Sequence, residues 1–242
     1  VLSSPTSPSE GFTLRASMFA YLDPVTGTNL QTDPCFDSSP VFNESPKTII
    51  CTGYPFAYSH NASDPELDSI VYAWDQPLDY PASPFNPGIN PLPVPFLPPY
   101  TFNSPLPGNP NLDTQTGEIS YNSSIAGNFA TVIRVDAYKC GQKVASIYRE
   151  IQAVLIACPT MPNGTFNNPP TITPPVGTQN WTTIINPSSG LPSYSTTVNA
   201  GAFVSFNVIG EDLDLYSTNP NIQQDIIMEI SGGQMANDFI TD

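Results

Sequence analysis

The sequence predicts an all-β chain of tandem sandwich domains, and three observations lead there. Proline supplies 29 of the 242 residues and charged residues only 11%. Lys, Glu and Arg are scarce while Thr, Ser, Tyr and Phe abound, a mix that favours strands and turns over helices. Second, apolar and polar residues alternate with the period of a half-buried strand. In residues 128–139, "NFATVIRVDAYK", Phe129, Thr131, Ile133 and Val135 oppose Asn128, Arg134 and Asp136. Third, the chain repeats itself. "HNASDPELDSIVY" (60–72) carries Asp64, Glu66 and Asp68, with Asp64 eleven residues after Gly53. "GAFVSFNVIGEDLD" (201–214) ends in Glu211, Asp212 and Asp214, with Asp212 eleven residues after Gly201. A pattern recurring at a fixed offset implies repeated domains.

Taken in order, residues 1–33 hold one clear strand, "GFTLRASMFAYL", which predicts the terminal strand of a preceding domain. Residues 34–158 predict a complete β-sandwich repeat. Its strands are Thr48–Cys51, Pro55–His60, Ser69–Trp74, Gly117–Tyr121, Phe129–Lys139 and Val144–Ala157, the last two joined by a turn at "CGQK". "DTQTGEI" (113–119) reads as a tight turn leading into a strand, a structural role. Residues 78–110 contain eleven prolines and five aromatics. They cannot form a helix or a central strand, so polyproline segments and turns are expected over a sheet face. Residues 159–168 predict a linker. Residues 169–242 predict a second sandwich repeat with strands at Ala202–Val208 and Asp225–Ile230. It lacks counterparts of the last two strands of the first repeat, which predicts a C-terminally incomplete domain in a fragment of a longer array.

The formal charge is −15, from 21 acids against 6 bases. Nucleic acid is excluded as an expected partner, because phosphate binding needs basic patches. No apolar run approaches the roughly 20 residues that cross a bilayer, so no transmembrane segment is expected. Gly-x-Ser-x-Gly, HExxH and phosphate-loop motifs are missing, and no catalytic residue is nominated; the expectation is a non-enzyme. His60 is the single histidine, and a metal or base role for it is the weaker reading. Trp74 and Trp181 are read as core side chains rather than sugar-stacking platforms.

Four cysteines, Cys35, Cys51, Cys140 and Cys158, contain no CxxC pair. Their even number in an acidic, Ser/Thr-rich chain predicts disulfides and an oxidising compartment. Cys140 and Cys158 lie at opposite ends of one hairpin strand, too far apart to bond. If the first and last strands run in the same direction, the pairs are Cys35–Cys140 and Cys51–Cys158. The acidic clusters are the candidate metal ligands: Asp64, Glu66, Asp68, Glu211, Asp212 and Asp214. Carboxylates at alternate positions of a turn can converge on a hard cation, so Ca²⁺ is the candidate cofactor. The alternative is a solvated acidic turn.

The segment "CFDSSPVFNESPKTIICTGYPFAYSHNASDPELDSIVYAWDQPL" resembles a repeat unit of giant Bacteroidota surface proteins. The likeness continues through "PPYTFNSPLPGNPNLDTQTGEI" and "GNFATVIRVDAYKCGQKVASIYREIQAVLIAC", the closing hairpin with Arg149. It covers residues 34–158 and, more loosely, 168–230. It departs from the commoner pattern at Leu67, where the family often has Gly. The resemblance implies Ig/cadherin-like domains, secretion by the type IX machinery, and display on the exterior of the outer membrane. It further implies adhesion, as in gliding-motility adhesins, with neighbouring repeats of the same chain, glycans or surface proteins as partners. A spacer or glycan-binding module of a secreted polysaccharide-degrading protein is the alternative.

Overall fold

The computed structural model describes residues 13–31, 37–46, 49–80, 84, 86, 88–157, 170–187, 189–216, 219–226 and 228. The regular elements there are all strands. In the first half they are β1 (Ala16–Met18), β2 (Val41–Phe42), β3 (Ile49–Cys51), β4 (Pro55–Ser59), β5 (Ala62–Ser63), β6 (Ser69–Trp74), β7 (Leu78–Asp79), β8 (Leu92–Pro93), β9 (Asn111–Leu112), β10 (Glu118–Asn122), β11 (Gly127–Lys139) and β12 (Gln142–Ile156). The second half adds β13 (Thr171–Ile172), β14 (Val176–Gly177), β15 (Thr182–Ile185), β16 (Pro192–Ser195), β17 (Phe206–Asn207), β18 (Gly210–Glu211), β19 (Leu215–Tyr216) and β20 (Asn219–Gln223).

The organising element is the β11–β12 hairpin. Its 13- and 15-residue strands alternate apolar and polar side chains as the sequence predicts. The turn is Cys140–Gly141, with φ of 48° and 79°. Two left-handed residues in a two-residue loop match the twist of the flanking strands. One register shift, at Ala137/Tyr138, lies just before the turn. On one side, β6 pairs antiparallel with β11, from Ile133↔Trp74 to Tyr138↔Ser69. On the other, β12 carries β1 antiparallel along Ala145–Ile147 and β3 parallel along Val154–Ile156. The strand expected to close a preceding domain therefore extends the main sheet of the 34–158 unit instead. Three ladder residues suffice for that, because the edge of β12 is open at Ala145–Ile147.

A second sheet, ordered β4–β10–β9, supplies Ile119, Tyr121 and Phe56 to the core. The main sheet contributes Tyr72, Phe129, Ile133, Val135, Ile147, Ala153 and Leu155. The proline-rich insert joins this core rather than merely covering it. Tyr100 meets the Phe129 ring edge-on at 5.4 Å, and Leu106 is buried. The "DTQTGEI" turn behaves as predicted: the Asp113 carboxylate accepts from the Gln115 and Thr116 amides at 2.8 and 3.0 Å. Trp74 packs against the core and Trp181 meets the Phe206 ring at 5.0 Å.

Two short pairings precede the two acidic runs. β2 pairs with β5 as β13 pairs with β18, each just ahead of the acidic turn. Gly53 and Gly201 both lie in the left-handed region, at φ 84° and 82°. The second unit adds a β15–β16 hairpin, and its strands are shorter and more exposed. Its turn reaches back to the first unit. The Asn186 amide donates to Glu118 Oε1 at 3.2 Å and to Ser120 Oγ at 2.9 Å, both on β10. The strand expected over 202–208 is shortened to Phe206–Asn207, and the one expected at 225–230 lies partly outside the described residues.

Cys51 is disulfide-bonded. The parallel pairing of β3 with β12 sets it opposite Ile156, two positions before Cys158. Cys35 and Cys158 lie outside the described residues. Cys140 is an exposed free thiol at the hairpin tip, so the expected Cys35–Cys140 bridge is not formed in this structure. A thiol reagent applied to the native, unreduced protein should label Cys140, read by peptide mass mapping. Labelling of Cys140 only after reduction would contradict the free thiol.

Candidate functional site

The acidic loop of the first unit is ordered by its own carboxylates. Asp64 Oδ1 accepts from the Glu66 and Asp68 amides, both at 3.1 Å. This turn places Leu67 at φ 63° with 73% of its surface exposed. A left-handed, solvent-facing position is one that glycine would occupy without strain. Burial raises the Asp64 carboxyl above its ordinary range, against the two amides that favour its charge.

The three carboxylates go to three different partners. Asp64 caps its own loop. Glu66 reaches back to Ser38, accepting from the amide at 3.1 Å and the hydroxyl at 2.8 Å. Asp68 lies 3.1 Å from Lys139 Nζ, and Asp37 lies 2.9 Å from the same ammonium. Two carboxylates thus share one lysine. Asp68 is raised by burial and by Asp37, against the opposing pull of Lys139. Burial pulls Lys139 down, but the two carboxylates outweigh it and raise its pKa.

In the second unit, Asp212 is buried and caps its loop likewise, accepting from the Asp214 amide at 2.8 Å. Glu211 sits on β18, where it pairs with Thr171. Among the described residues, no three His, Cys, Asp or Glu side chains are grouped so as to hold a metal. The calcium expectation for Asp64, Glu66, Asp68, Glu211, Asp212 and Asp214 thus meets separated carboxylates. Of the three carboxylates in the first acidic run, only Asp68 meets a cation among the described residues, the Lys139 ammonium. Asp37 and Lys139 were not singled out from sequence; they lie 102 residues apart, and neither has a local motif.

A second cluster bridges the two layers. Arg149 projects from β12 in phase with the buried Ile147 and Ile151. Its guanidinium lies 3.8 Å from the Phe42 ring centroid and donates to Tyr58 Oη at 3.4 Å. Burial lowers its pKa from the ordinary arginine value. Beside it, His60 is fully buried, with the Tyr58 and Phe42 rings edge-on at 5.2 and 6.2 Å. Neither imidazole nitrogen has a hydrogen-bond partner. Burial, then the Arg149 charge, pushes His60 down to about 3. The imidazole is therefore neutral, and the next residue, Asn61, donates its side-chain amide to Glu44 at 3.3 Å. This arrangement makes His60 a core side chain.

His60 has a folded pKa below its unfolded value, so the unfolded chain binds the extra proton first. Its contribution to stability is complete above about pH 6.5 and is lost as pH falls toward 3. About 1.4 kcal/mol of it is lost by pH 5.5. Asp64 and Asp68, both raised, act in the opposite sense: their folded forms hold protons more tightly, so they regain stability on acidification. The difference between wild type and His60→Leu isolates the histidine, since the chain has no other. In denaturant melts from pH 7.5 to 5, wild type should lose stability on acidification relative to the variant; equal pH dependence would contradict it.

No protein family, curated protein or solved structure matches the chain.

Proposed function

We propose that this chain is a non-catalytic repeat segment of a long secreted adhesin, made of tandem Ig/cadherin-like sandwiches displayed on the cell surface. The observation that carries the reading is the joint between units: the Asn186 amide spans Glu118 and Ser120 and ties the second unit to β10 of the first. A chain whose consecutive units bond to one another suits a stalk that transmits force. The bonded Cys51 and the long hairpin are consistent with an oxidising, load-bearing setting. The sequence resemblance supplies the export route, the type IX machinery, and the role in attachment or gliding.

In-frame deletion of residues 34–158 in the source organism tests this. The shortened protein should still be secreted, and cells should attach or move poorly on a surface. Normal attachment and movement would overturn the reading. The insert favours a second reading, as a ligand-binding module within a polysaccharide-degrading protein. It exposes Ile89, Leu92, Leu97 and Phe102, while Tyr100, Pro105 and Leu106 anchor it. Deleting 84–99 should then abolish glycan or protein binding while the unit stays folded.

A further inference from the structure

We propose that Lys139 and Asp37 condense into an intramolecular amide, with Asp68 carrying the proton between them. The three side chains meet at one end of the main sheet. Lys139 Nζ lies 2.9 Å from Asp37 Oδ1 and 3.1 Å from Asp68 Oδ2. Water is largely kept out: the Asp37 side chain is 1% exposed, Asp68 10% and Lys139 19%. Asp37 Oδ2 is buried and accepts no hydrogen bond. Two buried carboxylates, Asp37 and Asp68, face the same ammonium. Such a pair holds an added proton more readily than an isolated acid does. Asp68 is shifted in that direction.

The surrounding chain holds the reactants in place. Tyr138↔Ser69 is the last rung of the β11–β6 ladder, so Lys139 and Asp68 leave it side by side. Asp64 fixes the loop before Asp68, and Glu66 clamps Ser38, the residue after Asp37. The acidic run 64–68 is thus a cradle around a nucleophile and its target. Holding two reactants in contact replaces a bimolecular encounter with a unimolecular step.

The reaction balances without an added reagent. Lys139 Nζ passes a proton to the Asp68 carboxylate and becomes a neutral amine. Its lone pair attacks Asp37 Cγ while Asp68 returns the proton to an Asp37 oxygen. Nζ gives Asp68 a second proton, which Asp68 delivers to the departing hydroxyl. The N–Cγ bond forms, one Cγ–O bond breaks, and one water leaves. Nothing is oxidised or reduced, and Asp68 ends as it began.

The test is the intact mass of the 242-residue protein, denatured, reduced and alkylated. Wild type should be lighter than its sequence by one water. Fragmentation of a digest should show the Asp37 peptide joined to the Lys139 peptide. Lys139→Arg, which retains the charge, and Asp68→Asn should both keep full mass. Wild type at full mass after prolonged incubation would overturn the proposal. So would a water loss mapped to any other site. Condensation that persists in a folded Asp68→Asn variant would remove Asp68 from the step, and with it the mechanism proposed.

Discussion

Replacing Gly117 with alanine should destabilise the first unit by about 3 kcal/mol or more, among the large effects a single substitution produces. Two costs combine. Gly117 sits at φ 71°, where an L-residue pays about 1–2 kcal/mol. A Cβ there would also lie 2.4 Å from Cε1 of Tyr72. The ring cannot step aside cheaply. Tyr72 is 1% exposed, and its hydroxyl receives the Ala62 amide at 2.9 Å and donates to the Ala62 carbonyl at 3.3 Å. Moving the backbone at Gly117 would loosen its carbonyl from the His60 amide, now 3.2 Å away. Urea unfolding should show a lowered midpoint with little change in slope. A loss below about 1 kcal/mol would mean that the turn and ring relax together, contrary to this packing.

Asp136→Ala should cost about 3 kcal/mol, the low end of the range for removing one partner of a buried ion pair. Asp136 is 4% exposed on the outer face of the main sheet. It accepts from Arg134 Nε at 3.0 and 3.1 Å and from Ser146 Oγ at 2.5 Å, with Lys143 Nζ at 3.4 Å. Arg134 also bonds Asp75 at 2.5 Å, so the network links β11 and β12 to the residue after β6. Losing the carboxylate leaves the buried Ser146 hydroxyl without its acceptor. It also leaves Arg134 with one partner instead of two. Arg134 and Lys143 are about a third exposed or less, at 28% and 35%, and water softens the loss on their side. Asp136→Asn should cost less, because an amide oxygen still accepts from Ser146. Equal destabilisation by Ala and Asn would assign the effect to charge alone.

The strands were legible because their alternation is local. The strand expected at Phe129–Lys139 is β11 to within two residues, and Ser69–Trp74 is β6 without change. The parallel run of first and last strands, assumed for the cysteines, is the β3–β12 pairing. The same alternation held a signal not used: Arg149 shares the phase of Ile147 and Ile151, which places a cation on the core face. Other features were not local. Nothing near Asp37 announces a lysine 102 residues away. The spacing of Asp64, Glu66 and Asp68 suits convergence on a cation. In the folded loop, one carboxylate turns inward to cap amides and the others reach separate segments. Carboxylate spacing in sequence does not fix direction, because a turn with Leu67 at φ 63° redirects the side chains on either side of it.

The proposed role requires display of the repeat unit on the cell surface. It is tested most directly by antibodies against residues 34–158 applied to live, unpermeabilised cells of the source organism, followed by time-lapse imaging. The account predicts label on the cell exterior, travelling along the cell if the chain serves gliding and fixed if it serves static attachment. Label that requires permeabilisation, or that is found only in the medium, would contradict it.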